Sequence, residues 1–169
     1  MIEDVRAMGA DEKEAYLNEI EVAARYNEAE YGSTVRCILY TLHKYLGLYD
    51  DERVKGAIKA AAAFPGGIAG NTEVCGGLIA GVMAISLVYG PEPQDELDCI
   101  IPDTPAYKPE SGRMYRANRE RAAEFITRFR NTFGSVECKD IHTKLWGKTY
   151  DLRKPEDYTY FMKRPQHDR

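Results

Sequence analysis

Between Thr34 and Leu46 the apolar residues Val35, Ile38, Leu39, Leu42, Tyr45 and Leu46 recur three and four apart, which puts them on one face of an α-helix. Gly47 stands where such a helix would close. The same period runs through other stretches. Residues 11–30 are heavily charged but carry Tyr16, Leu17, Ile20, Val22 and Ala23, the pattern of a surface helix with one buried stripe, ended by Gly32. Residues 51–64 are alanine-rich and run into Pro65-Gly66-Gly67, which breaks a helix. Ala122, Phe125, Ile126, Phe129 and Phe133 predict an amphipathic helix over 113–133, stopped by Gly134. A short helix over 135–146 and a weak one over 156–162 follow.

Residues 74–90, VCGGLIAGVMAISLVYG, carry no charge and hence no polar face, which predicts a helix buried in the core. The run is shorter than the about 20 strongly apolar residues a membrane span needs, so no span is expected. Gly77, Ala80, Gly81 and Ala84 place small side chains on one face, where a neighbouring backbone can come close. Five prolines between Pro91 and Pro109 predict a long extended loop over 91–112. No stretch alternates with period two and no repeat appears. The expectation is an all-α protein: one compact domain over 1–169 with about five to seven helices. Within it the pattern separates an N-terminal helix (1–30), a cysteine-containing core (31–157) and a polar tail (158–169).

At 169 residues and 44% hydrophobic content, the chain can bury one such core. A net charge of −4 with both signs interspersed argues against nucleic acid as a partner. The start lacks a basic stretch followed by an apolar run, which leads to the expectation of a cytoplasmic protein with reduced thiols. Its four cysteines then read as packing, catalysis or metal ligation rather than a disulfide framework. Motifs for phosphate loops, for serine nucleophiles and for paired-histidine zinc sites are missing; no CxxC pair occurs, and without CxxCH covalent c-type haem is not expected.

Three cysteines share a register: Thr34 precedes Cys37, Thr72 precedes Cys75 and Ser135 precedes Cys138, each by three residues. With only 13 serines and threonines in the chain, the repetition calls for a physical account. Each Ser or Thr follows a break, so the expectation is a side-chain N-cap with the cysteine at the third helical position. A thiol there feels the positive end of the helix, which lowers its pKa and makes it a better nucleophile or metal ligand. Gly76 and Gly77, directly after Cys75, would let a cofactor approach the backbone. Taken singly, each cysteine reads equally as a small buried residue. Cys99 lies in the proline-rich loop without a cap. His142, four residues after Cys138, shares its helix face, and three cysteines with one histidine form a ligand set for zinc or an iron–sulfur centre.

The order Cys37, then VCGGLIAGVMAISLVYG, then FITRFRNTFGSVECKDIHTKLWGKTYDL resembles the redox-active family named C_GCAxxG_C_C after its cysteines. The resemblance covers roughly 31–157 and implies a helical domain with a cysteine-based redox or metal site at Cys37, Cys75 and Cys138. Two positions depart from the family name: Val74 precedes Cys75 where the name has glycine, and no cysteine follows Cys138. Cys99 or His142 would have to supply a further ligand.

Three functions stay open. The first is an electron-transfer protein holding an iron–sulfur cluster, such as 2Fe–2S, or another thiophilic metal, and serving a protein partner. The second is a thiol–disulfide oxidoreductase with Cys75 attacking and Cys37 or Cys138 resolving. The third is a helical interaction protein with inert cysteines. The small-residue face of 74–90 and the stripe Phe125, Phe129, Phe133 also lead to the expectation of a homodimer.

Overall fold

The structure is a computed structural model describing residues 2–47, 50–92 and 100–163. Among these residues it contains eight α-helices and no strand, so the all-α expectation holds. The N-terminal segment divides into α1 (Ile2–Ala7) and α2 (Ala10–Tyr31), and Gly32 ends α2 as expected. Its predicted stripe is only partly buried: Ile20 is enclosed, while Leu17 and Val22 are exposed.

The centre of the fold is α3 (Thr34–Leu46), with the bounds its stripe predicts and Gly47 in the left-handed region closing it. Val35 and Leu39 are fully buried. They meet Ala61, Ala80 and Ala84 in one core cluster, around which Ile38, Leu42, Ile58, Phe64, Ile79 and Met83 pack. The cluster joins α3 to α4 (Asp51–Ala60), to the tight 3-10 turn Ala61–Ala63 that continues α4, and to α5 (Gly76–Tyr89). Asp50 caps α4, its carboxylate accepting from the Arg53 amide at 2.9 Å. The uncharged run is the core helix its composition predicts. Among the described residues no helix is long and apolar enough to cross a membrane.

On its other side α5 meets α6 (Pro109–Phe133). A Cβ built on Gly81 would lie 2.3 Å from the Phe125 ring, so only glycine lets ring and backbone come this close. Phe129 stacks next to Phe125 and approaches Gly77. Gly77 and Gly81 of the small-residue face thus meet Phe129 and Phe125 of the phenylalanine stripe within one chain, while Ala80 and Ala84 pack in the core with α3; these are the grounds for expecting a homodimer. The helix starts at Pro109, four residues before the predicted start. Proline at the first helical position lacks only an N–H that would have no helical partner there, so PESG begins the helix instead of ending the loop. Residues 93–99, and with them Cys99, lie outside the described residues, as do 164–169.

Two short helices complete the fold, α7 (Cys138–Trp146) and α8 (Pro155–Met162). His142, Trp146, Tyr150 and Phe161 form an aromatic cluster with ring centroids 4.9 to 6.3 Å apart, around the fully buried Tyr150. This cluster roofs the region where the cysteines lie.

Candidate functional site

The stretch from Phe64 to Val74 is a tight coil. Gly66, Gly67, Ile68, Ala69, Gly70 and Thr72 all have positive φ. Gly67 is indispensable there, because a Cβ would lie 2.5 Å from the Glu73 nitrogen and 2.6 Å from the Thr72 carbonyl carbon. The coil delivers 72–75 alongside 136–139. Cys75 N donates to Val136 O at 2.8 Å, Cys138 N to Glu73 O at 2.7 Å and Lys139 N to Thr72 O at 3.0 Å. Three backbone hydrogen bonds therefore set Cys75 and Cys138 side by side.

These bonds correct the capping expectation. The first amides of α7 find their acceptors in carbonyls of the coil rather than in Ser135, whose hydroxyl accepts from Glu137 N and donates to Asp140. Thr34 is the first residue of α3, not its cap, and its hydroxyl donates to Glu28 Oε1. Thr72 takes part through its carbonyl. The cysteines accordingly occupy three different places: Cys37 is the fourth residue of α3, Cys75 is itself the N-cap of α5, and Cys138 is the first residue of α7.

The neighbouring Cys138 thiol lowers the Cys75 pKa to about 7; the Gly77 and Leu78 amides at the start of α5 assist against the opposing effect of burial. The same contact pushes the Cys138 thiol up, and burial adds to the rise. Gly76 N donates to Cys138. Gly76 also lets α5 press against α3: a Cβ there would lie 3.3 Å from Val35 Cγ2 and 3.4 Å from Thr34 Cβ. Gly77 contributes its amide.

Cys75 and Cys138 open on a cavity of about 180 Å³ lined also by Glu28, Ile141, His142, Trp146 and Phe161. His142 is buried and its Nδ1 has no hydrogen-bond partner; burial lowers its pKa to about 4, so near neutrality the ring is uncharged. Glu28, which nothing in the charged pattern of α2 distinguishes from its acidic neighbours, is the carboxylate in this lining, and its charge raises the proton affinity of all three described thiols.

Where three thiols at one point were expected, the structure groups two. The Cys37 sulfur lies 3.0 Å from Gly32 O and 3.3 Å from Asn27 O, and lines a different cavity, with Tyr31, Arg36 and Tyr40. Burial, reinforced by Glu28, raises its pKa. Among the described residues no three of His, Cys, Asp and Glu lie close enough together to hold a metal ion.

An all-α scaffold that sets two free thiols side by side at the starts of two helices defines a class of cysteine-based redox sites. The chain belongs to the family described as "Putative redox-active protein (C_GCAxxG_C_C)", which matches residues 32–165. No curated protein matches it, and no solved structure does. Glu28 stands outside the matched segment.

Proposed function

We propose that the protein is a dithiol redox protein in which Cys75 attacks and Cys138 resolves. The observation that carries this reading is the backbone pairing of 72–75 with 136–139, which sets Cys75, at the start of α5, and Cys138, at the start of α7, side by side on one cavity, where the neighbouring thiol lowers the Cys75 pKa to about 7. In the forward step the Cys75 thiolate attacks one sulfur of a partner disulfide, forming a mixed disulfide and releasing the other sulfur as a thiolate. Cys138, once deprotonated, attacks the Cys75 sulfur, closes the Cys75–Cys138 disulfide and releases the second partner thiolate. Two electrons leave the protein and the partner disulfide is reduced to two thiols. The backbone pairing of 72–75 with 136–139 supports the resolving role of Cys138 over Cys37, whose sulfur faces carbonyl oxygens in another cavity.

A cysteine-held metal or iron–sulfur cluster is the second reading, favoured by the unpartnered Nδ1 of buried His142 in the same cavity. The described residues do not fit it, since two thiols and one imidazole without a common meeting point leave a tetrahedral metal or a cluster short of ligands. The deciding experiment is anaerobic purification with metal analysis, followed by oxidation with one equivalent of a small disulfide and peptide mapping. The dithiol reading expects no stoichiometric metal and a Cys75–Cys138 cross-link that Cys75→Ser abolishes. Stoichiometric iron or zinc, or a cross-link that leaves Cys138 free, would overturn it.

A further inference from the structure

We propose that Glu28 takes up the proton that Cys138 must lose when it closes the disulfide, and returns it to the departing thiolate. The inference rests on the dithiol reading and concerns its second step. In the reduced pair the Cys138 proton is held against the Cys75 thiolate. Once Cys75 is joined to a partner sulfur it carries no charge and is a poor acceptor, yet Cys138 still holds its proton in a buried setting. A base is needed inside the cavity, under the roof of Trp146 and Phe161.

Two groups in the described lining can accept a proton, Glu28 from α2 and His142 from α7. His142 is a buried ring whose Nδ1 has no hydrogen-bond partner, and burial disfavours its cation. Transfer from Cys138 to Glu28 instead moves a negative charge already present, so the number of buried charges stays the same. The geometry favours Glu28 as well. Thr34 Oγ1 donates to Glu28 Oε1, and Gly76 lets α5 press against Thr34, which seats the α2–α3 corner over the thiol pair. The Glu28 charge also acts on Cys37, on α3, which lines the neighbouring cavity. The competing role for Glu28 is a structural brace between α2 and α3.

The test follows the reaction of the reduced protein with 5,5′-dithiobis(2-nitrobenzoate) in a Cys37→Ser, Cys99→Ser background. The first thionitrobenzoate released reports attack by Cys75, the second reports resolution by Cys138. Glu28→Gln should slow the second release at pH 7 by at least about tenfold and leave the first as fast or faster. Glu28→Asp should restore part of the rate. Thr34→Val, which removes the brace but keeps the carboxylate, should retain the second phase and separates the two roles even if Glu28→Gln folds poorly. A second phase unchanged in Glu28→Gln, or lost equally in Thr34→Val, overturns the Glu28 proposal alone. A background protein that releases a single equivalent overturns the dithiol reading and Glu28's role with it.

Discussion

Cys37 and Cys75 both lie at the beginnings of helices, both feel Glu28, and both are largely enclosed, yet their proton affinities move in opposite directions. The difference is in what faces each sulfur. At the α2–α3 corner burial, reinforced by Glu28, raises the Cys37 pKa, and the two carbonyl oxygens the sulfur meets can only accept, so the protonated thiol is the form that satisfies them. At the α5–α7 corner Cys75 stands beside the Cys138 thiol, with the Gly77 and Leu78 amides at the start of α5 nearby, and these groups favour the thiolate against the opposing effect of burial. Proximity to a helix start is thus too coarse a criterion for reactivity; burial raises both thiols, and the neighbouring Cys138 reverses the direction at Cys75 alone.

The strongest way to break the contrast is to disturb the coil that aligns the α5–α7 corner. Gly67→Ala places a methyl against the backbone of Thr72 and Glu73, whose carbonyls receive the first amides of α7, in a left-handed conformation that alanine disfavours. It should destabilise the protein by about 3 kcal/mol and return Cys75 toward ordinary thiol behaviour. Urea unfolding and thiolate absorbance against pH check both parts; a destabilised variant with Cys75 still at about 7 would show that the coil does not set the pair.

His142 sharpens the same corner from its apolar side. Its folded pKa of about 4 lies below the 6.5 of the unfolded chain, so protonation favours unfolding. Its contribution is complete above pH 6.5 and is withdrawn as the pH falls from 6.5 toward 4, by up to roughly 3 kcal/mol. His142→Leu should unfold in urea with a visibly flatter pH dependence than the unchanged protein between pH 7 and 4.5, and parallel curves would mean that His142 is not enclosed without a partner.

A smaller effect tests the donors directly. At pH 7 iodoacetamide should modify Cys75 at least about tenfold faster than Cys37. Cys138→Ala should raise the Cys75 pKa by about one unit, the two amide donors remaining. An unchanged titration would assign the low value to the helix start alone. The smallest effect belongs to Cys37→Ser, which keeps a donor facing Gly32 O and Asn27 O and should change stability by less than about 1 kcal/mol without shifting the Cys75 titration. A marked shift there would mean that the two corners act as one three-thiol site.

The helix over 34–46 was legible to the residue because a clean stripe and a terminal glycine act locally, and the buried character of 74–90 followed from its lack of charge. The start of α6 was not, since proline reads as a breaker until its place at the first helical position is known. For the site, the sequence singles out Cys37, Cys75 and Cys138 alike, and the family resemblance singles out the same three. It does not single out the partnership of Cys75 with Cys138, which depends on backbone bonds between 72–75 and 136–139 that leave no side-chain signature. The three Ser/Thr–cysteine spacings, alike on paper, serve three unrelated local geometries. Glu28 is one acidic residue among many on α2, and only packing distinguishes it.

The backbone pairing that joins residues 72–75 to 136–139 also makes Cys75 an unusual reporter of folding. A buried cysteine normally reacts faster when a protein opens, because exposure is all that changes. Cys37, enclosed and held protonated, should behave in that way. Cys75 gets most of its thiolate character from Cys138, which only a contact spanning more than sixty residues of chain brings beside it, so opening the structure takes the activation away as it removes the cover. Under limiting reagent near neutral pH the two cysteines should exchange rank as denaturant is added, and the crossing point of their labelling curves would mark the loss of this one long-range contact within a single molecule.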